Sequence, residues 1–286
     1  MSNHAAVPFL RRRSTVAAGA VGAVVALGAG VTLSDVFAAT PAAKAAPKVT
    51  LPTANATFDY QIGGGYTPAK GVAAVSRDRS AKPVKGLYNI CYVNAFQAQP
   101  DALGWWQKNH PDLILRDKNN RPVVDEDWNE ALLDTSTADK RTRLAQVVGE
   151  WVDGCAKSGY QAVEPDNLDS YERSGGRLAK AHNAAFAKLL AGRAHAAGLA
   201  VGQKNTVDML PERTKIGFDF AVAEECGEYN ECGDYAKAYA NRVFVIEYQD
   251  GGFSRACAGF GAKLGIVQRD LDVAPRGSGG YVFHTC

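Results

Sequence analysis

Two consecutive segments of this chain run helix, glycine, strand, and that repetition constrains the fold more than any other feature. Between Ser136 and Ser158, the residues Leu144, Val147, Val148, Trp151, Val152 and Cys155 recur at the spacing of one apolar helix face. Gly159 follows as a C-terminal stop, and the short run YQAVE comes directly after it. The pattern then repeats. Leu178 to Ala197 reads as a helix whose face is Leu178, Ala181, Ala185, Phe186, Leu189 and Ala196; Gly198 ends it, and LAVGQ is the next strand. A helix between successive strands is the crossover of a parallel sheet, so the chain is α/β.

Counting outward from these units gives eight strand candidates: FDYQI, GVAAV, LYNICYV, YQAVE, LAVGQ, FDFAVA, RVFVIEY and LGIVQR. Eight strands with intervening helices over residues 47–286 match a single (β/α)8 TIM barrel, which usually takes about 250 residues. An open doubly wound sheet is the alternative, but GGGY at 63–66 has neither the spacing nor the following helix of a phosphate loop. The segment 98–135 has room for a helix at Leu103–Asn109 and a lid-like loop.

Residues 1–46 are expected to lie outside this domain as an export signal and linker. Arg11, Arg12 and Arg13 precede an uncharged Ala/Gly/Val stretch, and small residues follow at VFAATPAAKAAP. The arginines suggest a twin-arginine route, without the Phe-Leu pair that usually accompanies it. The apolar part is too weak for a stable membrane anchor. Removing these residues takes four basic and one acidic residue from totals of 32 and 30, which leaves the remainder nearly neutral. No basic run survives there, so nucleic-acid binding is not expected.

All six cysteines lie beyond residue 46, and an even number in an exported chain reads as three disulfides. Cys226 with Cys232 would staple a short loop, Cys257 with Cys286 would tie down the C-terminus, and Cys91 with Cys155 remains by elimination. Zinc is disfavoured because only His284 stands near a cysteine; no metal or cofactor is expected. A secreted monomer is the resulting expectation.

Active groups of a (β/α)8 barrel stand where strands deliver the chain to the C-terminal rim. The candidates there are Asp59 and Tyr60 on the first strand and Tyr92 and Asn94 on the third. The fourth contributes Glu164, Asp166, Asn167 and Asp169, with Tyr171 just beyond; the fifth contributes Lys204 and Asn205. Glu224 and Glu225 end the sixth, Glu247 and Tyr248 the seventh, and Asp270 and Asp272 the eighth. This rim is acidic and aromatic. His110, His182 and His195 fall in a loop or on helices, which argues against metal-dependent hydrolysis, and no serine stands in a nucleophile elbow. Paired carboxylates beside tyrosines and amides are what glycosidic cleavage requires: one carboxyl protonates the leaving oxygen, and the other attacks or activates water. Of Trp105 and Trp106, one is expected to pack and the other to offer a sugar platform.

The pieces FDYQIGG, CYVNA, GYQAVEPDNLDSY, GLAVGQKNTVD, FAVAEECGEYNEC, FVIEY and QRDLD, in that order and spacing, resemble glycoside hydrolase family 114, the endo-α-1,4-polygalactosaminidases. The resemblance covers essentially residues 47–286. It implies a cofactor-free barrel that hydrolyses α-1,4-linked galactosamine polymers, with Asp166 as nucleophile and Glu224 as general acid/base. Thr206 and Ala223 stand where the family pattern carries aspartate and asparagine, which bears on the sugar subsites. A polycationic amino-sugar polymer also suits an acidic cleft. The alternatives are a carbohydrate-binding barrel without turnover and a glycosidase for another α-linked sugar.

Overall fold

The computed structural model describes residues 47–286; the expected export signal lies outside the described residues. Eight strands run in parallel around one sheet: β1 Phe58–Gln61, β2 Ala74–Asp78, β3 Tyr88–Asn94, β4 Ala162–Asp166, β5 Ala200–Lys204, β6 Phe220–Glu224, β7 Val243–Glu247 and β8 Gly265–Arg269. They pair in sequence order, and the short strand Phe283–Thr285 adds antiparallel to β8. The sheet curls until β8 meets β1. A Cβ on Gly265 would sit 2.3 Å from the Ala56 carbonyl oxygen, so this seam requires glycine. Phe58 of β1 and Phe244 of β7 meet inside, ring centroids 4.6 Å apart. The result is a single (β/α)8 barrel.

Period-two alternation along each strand divides the core into two layers. Phe58, Tyr60, Ala74, Ile90, Ala162, Ala200, Phe220, Val222, Phe244, Ile246 and Val267 fill the barrel. Their alternates, among them Cys91, Val93, Val163, Val201, Ala221, Ala223, Val243 and Val245, pack outward against the helices. Each fully buried large apolar side chain contributes roughly 1.5–3 kcal/mol, so this two-layer core holds the rim in place.

Helix α1 spans Leu103–Asn109, α2 Ala138–Ser158 and α3 Lys180–Ala196. Thr137 caps α2 by accepting from the Lys140 amide, and Gly159 ends it at φ 94°. The inward face of α2 is Leu144, Val148, Val152 and Cys155, with Val147 and Trp151 partly buried beside it. The face of α3 differs from the sequence expectation. Leu190 is buried while Leu189 is 43% exposed, and Ala184, Ala187, Ala191 and Ala194 line the contact. An alanine-rich helix has little amphipathic contrast to orient it, and the buried Asn183, which donates to the Leu168 carbonyl and Ser170, fixes its rotation instead.

Two further differences matter for the site. β2 extends to Asp78, beyond the GVAAV expected, and so brings Ser76 and Asp78 into the barrel mouth. The segment after β3 is no plain loop. It folds into a three-stranded antiparallel sheet of Gln97–Ala98, Glu130–Leu132 and Val124–Asp125, with Glu130–Leu132 in the middle. The cysteines form three disulfides, Cys91–Cys155, Cys226–Cys232 and Cys257–Cys286. No helix among the described residues is long and apolar enough to cross a membrane.

Candidate active site

Three neighbouring strands end in residues that turn inward and then bend the chain sharply. Asn167, Asn205 and Glu225, directly after Asp166, Lys204 and Glu224, all take positive φ, at 66°, 46° and 56°. Asparagine tolerates this conformation; for Glu225 it stores on the order of 1–3 kcal/mol that the surrounding fold must hold.

At the centre of the mouth lies Lys204, 2% exposed. Its Nζ is 3.3 Å from Glu164 Oε1, 3.0 Å from Asp166 Oδ1, 3.3 Å from Glu224 Oε2 and 3.1 Å from the Tyr60 hydroxyl. A buried ammonium needs such company, and the three carboxylates raise its pKa well above the ordinary value even though burial acts to lower it. Each carboxylate has further partners. Glu164 accepts from Tyr60 and Ser76, at 2.9 and 2.7 Å. Asp166 accepts from the Tyr92 hydroxyl at 2.7 Å. Glu224 accepts from Asn205 Nδ2 at 3.0 Å and from the Tyr248 hydroxyl.

These surroundings separate the carboxyls electrically. Burial pushes Glu164 up to about 7, against the pull of Lys204. Burial also pushes Asp166 up, but Lys204, Tyr92 and the Asn167 backbone amide outweigh it and hold Asp166 below the usual carboxylate range. A cavity of 340 Å³ opens above, lined among others by Tyr92, Asp166, Asn167, Asp169, Asn205, Glu224, Tyr248 and Asp272.

The other sequence candidates are distributed differently. Tyr60, Glu164 and Lys204 form the floor beneath that cavity, and Asn94 braces its wall. Asp59 is buried on the outer side of β1, where it accepts from Gln61 and Tyr66 and lies 3.7 Å from Arg269. Glu247 is buried on the outer side of β7, accepting from the Gly227 amide. The Tyr171 hydroxyl meets Asp208, and Asp270 accepts from the Ala274 and Val282 amides. None of these four residues lines the cavity. Trp105 and Trp106 pack edge-on near Trp151, also away from it.

Sequence reasoning missed Glu130, Trp128, Arg173, Asp78 and Gln99, all of which line the cavity. Glu130 and Trp128 come from the small sheet after β3, whose two- and three-residue strands carry no legible period. A signal for Asp78 lay in continuing the alternation of β2 by two residues.

Among the described residues, one group approaches metal-ligand geometry, Cys226, Cys232 and Glu247. Both sulfurs are joined in a disulfide, so neither is a thiolate that could bind an ion.

Solved structures share this barrel. A crystal structure of Aspergillus fumigatus Ega3 in complex with galactosamine shares 24% identity, covering 84% of this chain and 98% of that one, with a TM-score of 0.66. The glycoside hydrolase domain of PelA from Pseudomonas aeruginosa shares 15% identity over 80% of this chain and 97% of its own, at a TM-score of 0.53. At these identities the likeness concerns the fold. Comparison with curated protein sequences finds no match. The sequence pattern of glycoside hydrolase family GH114, however, matches residues 38–286, nearly the whole chain, and the protein is therefore a glycosidase that belongs to that family.

Proposed function

We propose that this protein is a secreted, endo-acting glycosidase that cleaves α-1,4-linked galactosamine polymers with retention, through Asp166 as nucleophile and Glu224 as acid/base. One observation carries the reading: Asp166 Oδ1 and Glu224 Oε2 contact the same Lys204 nitrogen, at 3.0 and 3.3 Å. Oxygens at those distances from one nitrogen lie at most 6.3 Å apart, nearer the ~5–5.5 Å of retaining enzymes than most of the ~6.5–9.5 Å range of inverting ones.

Asp166 is the better nucleophile because its environment keeps it ionised. Its carboxylate attacks the anomeric carbon as the glycosidic C–O bond breaks, while Glu224 gives its proton to the departing oxygen. A water then attacks that carbon, Glu224 takes the water's proton, and the ester bond to Asp166 breaks. Family membership and the galactosamine in the Ega3 complex support an amino-sugar substrate. Export is supported by the signal-like character of residues 1–46 and by the three disulfides.

The test is reducing-end release from α-1,4-galactosaminan and from its N-acetylated form, with the product anomer read by NMR. Wild type should release α-anomers, Asp166→Asn should release none, and Glu224→Gln should lose on the order of 10²–10⁴-fold. Binding without release would leave a carbohydrate-binding barrel, and β-anomers would exclude retention.

A further inference from the structure

Resting on that reading, we infer that Glu130 selects the substrate by receiving the 2-ammonium group of a galactosamine unit, so that the free amine is preferred to its hydroxyl or N-acetyl counterparts. Glu130 is only 9% exposed and lines the same cavity as Asp166 and Glu224. Its hydrogen bonds are one-sided. Asn94 Nδ2, Gln97 Nε2 and Asn167 Nδ2 all donate to Oε2, at 2.8, 3.0 and 3.3 Å, while Oε1 accepts nothing among the described residues.

The orientation of those three amides is set by their other ends. Arg173 donates to Gln97 Oε1 and to Asn167 Oδ1, both at 3.3 Å, and is itself anchored by Asp125 at 2.7 Å and Asp169 at 2.8 Å. Asn94 Oδ1 accepts from the Gln97 backbone amide at 3.2 Å and from Asn167 Nδ2 at 3.0 Å. Every amide oxygen thus has a donor, and every amide nitrogen donates to the one carboxylate oxygen, Gln97 Nε2 also to Asp125 Oδ2 at 3.2 Å. If Glu130 served only to tie the small sheet to the barrel, the hydrogen bonds to Oε2 would suffice, which leaves Oε1 for a ligand in the cavity that Glu130 lines. A cation in the cavity would satisfy that oxygen. The basic side chain lining the same cavity, Arg173, is committed to Asp125 and Asp169, so the cation must come with the ligand. An N-acetyl group brings a neutral amide and a methyl where a charge-assisted hydrogen bond would form, and galactose brings a neutral hydroxyl.

The experiment titrates wild type and Glu130→Gln with galactosamine, galactose and N-acetylgalactosamine by ligand-observed NMR. No turnover is needed. Wild type should prefer galactosamine by about tenfold, the scale of one hydrogen bond to a charged group, and Glu130→Gln should bind the three sugars alike. Undiminished preference in the variant, or no preference in wild type, would overturn the inference. Should the variant not fold, a structure of wild type with galactosamine decides: the nitrogen within hydrogen-bonding distance of Glu130 Oε1 upholds it, and the nitrogen elsewhere refutes it. Polymer cleavage without this preference would sink the inference alone, and preference without cleavage would sink the proposed activity alone.

Discussion

Glu164 lies in the middle of β4 and Glu247 at the end of β7, each fully buried and each pushed by burial to about 7. They differ in which side of the sheet they face. Glu164 shares parity with Ala162 and points into the barrel, where Tyr60, Ser76 and Lys204 satisfy it. Glu247 shares parity with Val243 and Val245 and points outward, where one oxygen accepts from Gly227 and the other has no partner. A raised pKa alone therefore does not identify a working group. Position relative to the sheet puts one carboxyl in the charge cluster beneath the cavity and the other against the outer wall.

That comparison breaks most visibly at Lys204. Lys204→Met would leave three carboxylates facing one another without their shared cation. Turnover should fall by on the order of 10²–10³-fold. Stability should fall by about 3–5 kcal/mol, the usual result of stripping one partner from a buried charge cluster. Initial rates and denaturant unfolding measure the two losses, and an active, stable variant would mean that the cluster does not organise the site. Glu164→Gln is milder, because the amide oxygen can still accept from Tyr60 or Ser76. It should lower kcat on the order of tenfold with KM nearly unchanged, since Glu164 acts through Lys204 rather than on substrate.

The sequence made the inward half of this comparison legible but not the division itself. All eight strands were readable from apolar runs between glycine and helix signals, and the groups at the ends of β4, β5 and β6 stand out as the polar residues that close each run. Nearness to a strand end groups Asp59 and Glu247 with them, whereas alternation along the strand sets them apart. Phe58 and Tyr60 fill the barrel, so Asp59 between them must face out, and Phe244 and Ile246 dictate the same for Glu247. Glu130 is a different kind of omission. It sits on a strand of three residues, and its neighbours Asn94, Asn167 and Gln97 come from distant places in the chain. Only tertiary contact makes it a site residue.

Glu247→Gln is the substitution with the smallest expected effect on activity, and it tests the outward half. The Gln carbonyl can keep the Gly227 hydrogen bond, and Gly227 follows Glu224 by three residues on the loop stapled by Cys226–Cys232. Turnover at pH 7 should change by less than about threefold, as expected of a group that acts only on packing. Stability should respond to pH instead. In the unfolded chain the carboxyl ionises near 4.5, whereas in the folded protein burial, aided by the Glu225 and Glu228 charges, holds its proton up to about 7. Below the lower value both states are protonated and the group adds no pH dependence. Between the two, the unfolded chain has released its proton and the folded one has not, so stability falls as pH rises; above 7 the loss is complete. Glutamine removes this loss. The stability of the variant relative to wild type should therefore grow by on the order of 3 kcal/mol between pH 4 and pH 8, measured by urea unfolding at each pH. A flat difference would show that Glu247 ionises in the fold as freely as in the unfolded chain. A collapse of turnover would show that its hold on Gly227 positions Glu224, making the outward carboxyl as much a part of the catalytic apparatus as the inward one.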